Sequence, residues 1–161
     1  MIVIVMGVVG AGKTTVGRLL AGRLGWQFAD ADDFHPAANV EKIRQGIPLT
    51  DDDREPWLER LRSEISHWIE SGNNVVLACS ALKRRYREKL ETGAEIRFVY
   101  LKGSAETIAK RLRARHGHFA GEQLLASQFA DLEEPQNALV VGIDHPPKGI
   151  VTEICQGLGL A

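Results

Sequence analysis

The chain has 161 residues, which at a typical domain size of ~150 residues predicts a single domain spanning residues 1–161. Hydrophobic residues make up 44% and charged residues 25% of the chain, a composition that excludes a disordered or collagen-like protein. Lys and Arg number 20 against 21 Asp and Glu, so the overall charge does not indicate nucleic acid or an anionic membrane as a partner.

The cysteines and the apolar runs indicate the compartment. The two cysteines, Cys79 and Cys155, are too few for a disulfide framework, so we expect a reducing environment. No apolar run approaches the ~20 residues that a membrane span needs. The apolar residues 1–6 lack a basic leader and lead into glycines rather than a cleavage site. We therefore expect a cytoplasmic protein.

Strand-like and helix-like patterns alternate along the chain. Continuous apolar runs indicate strands buried on both faces at 2–6, 75–79, 96–101 and 139–141, and a weaker strand at 27–29. Helical periodicity lies between them, at residues 16–24, 57–69, 108–112 and 124–132. Pro56 favours Asp53 over Thr50 as the cap of the second helix, because the proline then lies in the first turn. The alternation predicts a three-layer α/β/α sandwich.

The most specific motif is GVVGAGKT at residues 7–14, which has the GxxxxGK[ST] pattern of a phosphate loop. It stands directly after the first predicted strand and before the first predicted helix. Lys13 is expected to reach the β- and γ-phosphates, and Thr14 to supply a hydroxyl ligand to Mg²⁺. We therefore predict ATP and Mg²⁺ as cofactors. The expected nucleotide contacts are Gly7, Val8, Val9, Gly10, Ala11, Gly12, Lys13, Thr14 and Thr15.

An acidic segment, DADDFH at residues 30–35, follows the second predicted strand, at the sheet edge where open α/β sheets bind ligands. Acidic loops are commonly only solvated, but beside a phosphate loop carboxylates can activate an attacking hydroxyl and hold Mg²⁺ through water. We predict Asp30 as the outer-shell magnesium residue. The base is then Asp32 or Asp33.

The phosphate loop and residues 30–36 form part of a larger resemblance, which also includes residues 39–42, 46–58, 79–83 with Tyr86 and Arg87, and 117–119. Over nearly the whole chain, these segments resemble the small bacterial-type gluconokinases. The most specific blocks are DDDREPWL at 51–58 and CSALK at 79–83. The resemblance implies ATP-dependent phosphorylation of D-gluconate to 6-phosphogluconate, usually by a homodimer. It also implies a fold like that of shikimate and nucleoside monophosphate kinases, with a five-stranded parallel sheet in the order 2-3-1-4-5 and a mobile lid, here about residues 113–131. Shikimate kinases have two carboxylates at the spacing of Asp30 and Asp32, and this likeness favours Asp32 as the base.

An acidic, polyhydroxylated substrate needs a guanidinium fork or ammonium for its carboxylate and short polar partners for its hydroxyls. The candidates for the carboxylate are Arg54, Lys83 and Arg87, although two of the cations in 83–87 are expected to be solvated. His35 is a candidate hydrogen-bond partner of the substrate, with a structural role as the alternative. Gln128 is expected to face the sugar acid.

Arg111, Arg113 and Arg115 precede a glycine-containing break at 117–119, a suitable place for a lid. A solvated helix face is the alternative for these arginines. The resemblance matches Arg111 and Arg115 to lid arginines, one near adenine and one near phosphate. By the same analogy, the turn at 144–147 would be the adenine loop.

Two other classes of function share some of these features. A nucleoside monophosphate kinase would need a pocket for a second base, and the hydrophilic segment 46–57 suits a polyol better. A nucleotide-dependent switch is disfavoured because the chain has no NKxD-like guanine motif and no acid ends the run 75–79. We therefore expect a sugar-acid kinase with a small-molecule substrate and no nucleic-acid or membrane partner.

Overall fold

A computed structural model describes residues 1–116 and 120–160, without the side chains of residues 115, 116 and 120–123. Its centre is a five-stranded sheet in the order β2-β3-β1-β4-β5, with every neighbouring pair parallel. This confirms the predicted order. The strands are Ile2–Met6 (β1), Gln27–Asp30 (β2), Val75–Ala78 (β3), Ile96–Lys102 (β4) and Leu139–Gly142 (β5).

Helices cover both faces of this sheet. They are Lys13–Leu24 (α1), Ala37–Arg44 (α2), Asp51–Glu70 (α3), Arg84–Leu90 (α4), Ala105–His116 (α5), Ala120–Asp131 (α6) and Pro147–Leu158 (α7), with a short 3₁₀ helix at Ala31–Phe34. Among the residues described, none of these helices is long and apolar enough to cross a membrane.

The core has two halves, one on each side of the sheet. Side chains alternate along β1, so that Val3 and Val5 face the α1, α5 and α7 side, whereas Ile2 and Ile4 face the α3 and α4 side. All five residues of β1 and all four of β3 are buried, as continuous apolar runs require. The predicted three-layer α/β/α sandwich is therefore confirmed.

The sheet register brings the ends of three strands to one edge. Asp30 of β2 pairs with Ala78 of β3, and Val5 of β1 pairs with the same Ala78. Because the strands are parallel, the chain leaves all three in the same direction. The phosphate loop, the acidic segment and residues 79–83 therefore meet at the carboxyl edge of the sheet.

The start of α3 differs from the prediction. Thr50, not Asp53, is the N-cap, and Pro56 lies inside the helix. The Thr50 hydroxyl accepts from the Asp53 N–H at 3.1 Å, and the Asp53 carboxylate accepts from the Thr50 N–H at 2.9 Å, which forms a capping box. The same carboxylate pairs with Lys42 of α2 at 2.8 Å. An interior proline costs about 3 kcal/mol, and these contacts offset part of that cost. The prediction of Asp53 as the cap considered only the cost of the proline.

Candidate active site

The phosphate loop joins β1 to α1 through residues that only glycine fits well. Gly10 and Gly12 have φ values of +82° and +96°, a region that side-chain-bearing residues enter at a cost. A Cβ at Gly10 would lie 2.9 Å from the Leu112 side chain, so the space is closed as well. The loop ends where α1 begins at Lys13, and the free N–H groups of that helix start suit a phosphate.

A cavity of about 160 Å³ opens over this loop and brings many of the predicted site residues together. Loop residues form one side of it, and the ends of β2 and β3 form the other. It is lined by Val9, Gly10, Gly12, Lys13, Thr14, Thr15, Asp30, Asp32, Ala78, Cys79 and Ser80. Asp33 does not line it. The cavity therefore brings the phosphate-loop lysine and Asp32 to the same space, which is the arrangement that phosphoryl transfer needs.

The charges in this cavity influence one another. Burial lowers the pKa of Lys13, and the nearby Asp32 carboxylate opposes that shift. Enclosure by the surrounding protein raises the pKa of Asp32, although its side chain still reaches solvent, and Asp30 raises it further. A carboxylate with a raised pKa is a stronger base than an ordinary aspartate, so Asp32 is suited to accept a proton from a hydroxyl.

Cys79 also lines this cavity without being a nucleophile. Burial raises the pKa of its thiol to about 12, so it stays neutral at physiological pH.

The residues predicted to hold magnesium fit that ion. The Thr14 hydroxyl donates to Asp30 Oδ2 at 3.0 Å, and Asp30 Oδ1 accepts from the Asp32 N–H at 3.0 Å. A hydroxyl oxygen and a carboxylate oxygen thus lie side by side at the phosphate loop. Mg²⁺ prefers such hard oxygen donors and keeps several waters, so two protein residues are enough.

A second cavity of about 420 Å³ lies on the other side of the phosphate loop. Arg111 lines it, and its guanidinium donates to the Ile143 carbonyl at 2.6 Å, which holds α5 against the segment after β5. The turn predicted to be the adenine loop contributes His145 and Pro147 to the same cavity. The side chain of Arg115 and residues 117–119 lie outside the described residues.

Two of the residues predicted to bind the substrate carboxylate, Arg54 and Lys83, belong to one charged network. Arg54 is 8% exposed, and its guanidinium donates to the Tyr86 hydroxyl at 2.9 Å and, through Nη1 and Nη2, to Asp131 Oδ2 at 3.3 Å. The Lys83 ammonium pairs with Asp51 Oδ1 at 2.9 Å. The Tyr86 hydroxyl also donates to Asp51 and so joins the two pairs.

We call this network the acceptor-side cluster. Its members are Arg54, Lys83, Arg85, Asp51, Asp131 and Tyr86, and Arg85 enters it through an ion pair with Asp51 at 2.6 Å. Three cations face two carboxylates, so the cluster carries a net positive charge. Such a surplus attracts a substrate carboxylate.

His35 ends the acidic segment and lies close enough to Arg54 of this cluster to be affected by its charge. Its ring stacks on Trp57 with centroids 4.4 Å apart and an interplanar angle of 11°. Trp57 is itself held by a hydrogen bond of 2.7 Å from its Nε1 to the Ala31 carbonyl, between Asp30 and Asp32. Burial, with a smaller contribution from the Arg54 charge, lowers the pKa of His35 to about 4. The imidazole is therefore neutral at physiological pH.

Arg87 has different partners from those the sequence predicts. Its guanidinium donates to the carbonyls of Ala81, Leu82 and Glu133 at 2.8, 3.0 and 2.7 Å. Ala81 has a φ of +44°, a left-handed conformation that costs a residue with a side chain roughly 1–2 kcal/mol. Arg87 therefore braces a strained turn rather than offering its fork to a substrate carboxylate.

Gln128 also contacts a different group from the one expected. Its side-chain carbonyl accepts from the backbone N–H of Val9 at 2.6 Å. This hydrogen bond joins Gln128 of α6 to the phosphate loop.

Several residues in these contacts were not predicted as site residues: Asp51, Trp57, Arg85, Tyr86 and Asp131. Of these, Asp51, Trp57 and Tyr86 lie in segments that carried the family resemblance, and that resemblance was the signal that could have found them. Asp131 lies 77 positions from its partner Arg54. No local pattern connects the two.

The chain is similar to known proteins over most of its length. The family model described as an AAA domain matches residues 2–135. A gluconokinase of Gluconobacter oxydans is 50% identical over 148 residues, spanning 89% of this chain and 83% of that protein. The thermosensitive gluconokinase of Escherichia coli is 43% identical over 163 residues, spanning 98% of this chain and 87% of that one.

A solved structure agrees with these relatives. The crystal structure of a gluconokinase from Sinorhizobium meliloti superimposes with a TM-score of 0.88 at 41% identity, covering 98% of this chain and 90% of that chain. The phosphate loop, Asp32 and the acceptor-side cluster thus occur in a chain that shares sequence and fold with these enzymes over nearly all of its residues. The chain belongs to the gluconokinase family of P-loop kinases.

Proposed function

We propose that the protein transfers the γ-phosphoryl group of ATP to the terminal hydroxyl of D-gluconate, forming ADP and 6-phosphogluconate. The observation that carries this proposal is the shared cavity of Lys13 and Asp32, next to a cluster with surplus positive charge. His35 relates the two, because it lies three residues after Asp32 and close enough to Arg54 for that charge to add to the effect of burial, which lowers its pKa. Relatives named gluconokinase support gluconate as the acceptor.

In this reaction Asp32 is the base. The terminal hydroxyl of gluconate gives its proton to the Asp32 carboxylate while its oxygen bonds to the γ-phosphorus, and the bond from that phosphorus to the bridging oxygen of ADP breaks. Lys13 stabilises the negative charge on the phosphoryl oxygens. Asp32 then returns its proton to solvent.

Thr14 and Asp30 would hold Mg²⁺, which neutralises charge on the phosphates when it is bound. Their adjacent oxygen atoms support this assignment. Residues 7–15 would bind the phosphates through N–H groups other than those of Gly7, Val9 and Ala11, which are paired with Ser80, Gln128 and Val8. The cavity beside Arg111 would take the nucleoside. We propose Arg115 as the lid arginine at the transferring group and residues 113–131 as the lid, on the family resemblance alone.

On the acceptor side, Lys83 and Arg54 would bind the substrate carboxylate and His35 a hydroxyl. Among the residues whose side chains are described, Asp131 and Tyr86 occupy only part of the Arg54 guanidinium, so Nε and one hydrogen of Nη2 would serve the substrate. Lys83 is the more accessible of the two cations, with a side chain 25% exposed. We assign Arg87 no substrate contact, because its partners lie elsewhere.

We further propose that residues 1–161 form a single kinase domain that acts as a cytoplasmic homodimer without a nucleic-acid or membrane partner. The single sheet supports one domain, and the two buried free thiols suit a reducing compartment. The homodimer rests on the family resemblance. Light scattering of the purified protein tests it, since a monomeric mass at working concentration would contradict it.

The identity of the phosphoryl acceptor is tested by measuring the rate of ADP release from Mg²⁺-ATP with each of several candidate acceptors. The panel contains D-gluconate, its epimers, shikimate and nucleoside monophosphates. We expect the highest kcat/KM with D-gluconate and a product phosphorylated at the terminal carbon. A preference for shikimate or a nucleoside monophosphate would contradict the proposed function.

A further inference from the structure

Asn39 is a buried polar side chain of the described core, only 3% exposed, and its amide touches two other groups. Its Nδ2 lies 2.7 Å from the backbone carbonyl of Asp53 and 3.2 Å from Nδ1 of His35. A carbonyl oxygen can only accept a hydrogen bond, so the Asn39 atom at this point must be the NH₂ group. One of its hydrogens goes to Asp53, and the other is left for His35.

The contact determines which nitrogen of His35 carries the proton. Because Asn39 donates to Nδ1, that nitrogen must be the acceptor, and the proton of the neutral ring is on Nε2. Within the part of the chain whose side chains are described, Nε2 has no hydrogen-bond partner. The open edge of the ring therefore presents one N–H donor.

Two other contacts hold this ring in place. Trp57 of α3 stacks on its face, and the hydrogen bond from Trp57 to Ala31 ties that stack to the acidic segment. Asn39 belongs to α2, and its bond to Asp53 ties α2 to the first turn of α3. The orientation and the tautomer of His35 are thus imposed by surrounding elements.

We propose that Asn39 is a positioning residue that keeps His35 as a fixed Nε2–H donor to an oxygen of the sugar-acid acceptor. This inference rests on the proposed function, because it takes the acceptor of the kinase as the partner of His35. A donor of this kind favours a hydroxyl or carboxylate oxygen and cannot serve as a base for the reaction. Selection of a polyhydroxylated acceptor therefore depends in part on an amide that never touches it.

The first test is nitrogen NMR of the unmodified protein. Histidine is labelled with ¹⁵N, and the signals of His35 are assigned by their loss in His35→Gln. We expect a protonated Nε2 and an unprotonated Nδ1 at neutral pH. An Nδ1–H tautomer would overturn the inference, and this outcome depends neither on activity nor on the folding of an Asn39 variant.

The second test is a double-mutant cycle on the KM for D-gluconate. Asn39→Leu removes the donor to Nδ1 with little change in side-chain volume and adds no charge, so nothing then holds the proton of the neutral ring on Nε2. We expect it to raise the KM for gluconate about tenfold or more, with the KM for ATP within about threefold, since loss of one hydrogen bond in an enclosed site has effects of this size. In a His35→Phe background, which keeps a ring against Trp57 but has no donor, the same change should have little further effect on the KM for gluconate.

Equal effects of Asn39→Leu in both backgrounds would overturn the inference, because the asparagine would then act on the fold and not through His35. An unchanged KM for gluconate in His35→Phe would overturn it too, and normal turnover of that variant would leave the proposed function intact. Failure of the proposed function gives a different result, because the unmodified protein would then not phosphorylate gluconate, whichever tautomer His35 adopts.

Discussion

Gln128 of α6 accepts a hydrogen bond of 2.6 Å from the backbone N–H of Val9 in the phosphate loop. The contact joins a helix of the predicted lid segment to the loop that binds phosphates, across 119 positions of sequence. Gln128 thus contacts the phosphate loop, and its expected contact with the sugar acid stays a prediction.

This placement predicts the effect of a charge at Gln128. Gln128→Glu should raise the KM for ATP about tenfold or more, because a carboxylate at the loop repels phosphates even at an effective dielectric constant of about 20. The KM for gluconate should stay within about threefold. Gln128→Ala is the matched control, since it removes the acceptor without adding charge, and it should have the smaller effect. A larger rise in the KM for gluconate would instead support the contact with the sugar acid.

Asp32 and Asp33 can be distinguished by the same substitution at each position. Asp32→Asn keeps the size of the side chain and removes its charge, so kcat should fall by about 100-fold or more while the KM for ATP changes only a few-fold. Asp33→Asn, outside the cavity, should leave kcat within about threefold. Steady-state kinetics of both proteins decide the assignment. A collapse of kcat in Asp33→Asn alone would move the base by one residue.

Arg87 is predicted to matter for stability. Arg87→Lys keeps a positive charge but cannot replace three hydrogen bonds to carbonyls, so the free energy of unfolding should fall by about 2–4 kcal/mol. The KM for gluconate, measured well below the melting temperature, should stay within about threefold. Arg84→Lys on the same helix is the control, because that side chain is 80% exposed and should change stability by less than about 0.5 kcal/mol. A stable Arg87→Lys protein with a much higher KM for gluconate would instead make Arg87 a substrate residue.

The acceptor and lid cations should affect different kinetic constants. The carboxylate of gluconate is remote from the hydroxyl that is phosphorylated, so the cation that binds it cannot also serve the γ-phosphate. Arg54→Lys should raise the KM for gluconate more than the KM for ATP, because an ammonium does not reproduce the guanidinium fork. Arg115→Ala should lower kcat and spare gluconate binding. Equal damage to every constant in both variants would contradict this division of roles.

His35 predicts a pH dependence of stability. Its pKa is about 4 in the folded protein and ordinarily 6.5, so between these values the unfolded chain binds a proton that the folded chain does not. Stability attributable to His35 is therefore complete above pH 6.5 and is lost as the pH falls toward 4. The loss should be on the order of 1–2 kcal/mol, because solvent partly screens a ring that is not fully enclosed. Urea unfolding of the protein and of His35→Gln across this range isolates the effect, and parallel curves would contradict it.

The cap of α3 shows where a local argument fails. A proline is costly in a helix beyond the first turn, and this favoured Asp53 over Thr50 as the first residue outside the helix. In the fold, Asp53 caps Thr50 and pairs with Lys42, while its carbonyl accepts from Asn39. Both Lys42 and Asn39 belong to α2, a helix that the hydrophobic periodicity of the sequence did not predict. The prediction was wrong because the stabilising partners belong to another helix.

The sequence by itself determined the strands, the order in which they alternate with helices, and the place of the phosphate loop and the acidic segment. These features depend on local signals: continuous apolar runs, glycine spacing, and the geometry that puts the ends of parallel strands at one edge. Family resemblance supplied the strand order and the choice of Asp32. Only the tertiary structure decided the partners of Arg54, Arg87, Gln128 and Asn39. Long polar side chains can reach many groups, and the one they bind is whichever acceptor or donor the fold leaves unpaired within reach, often from a segment far along the chain.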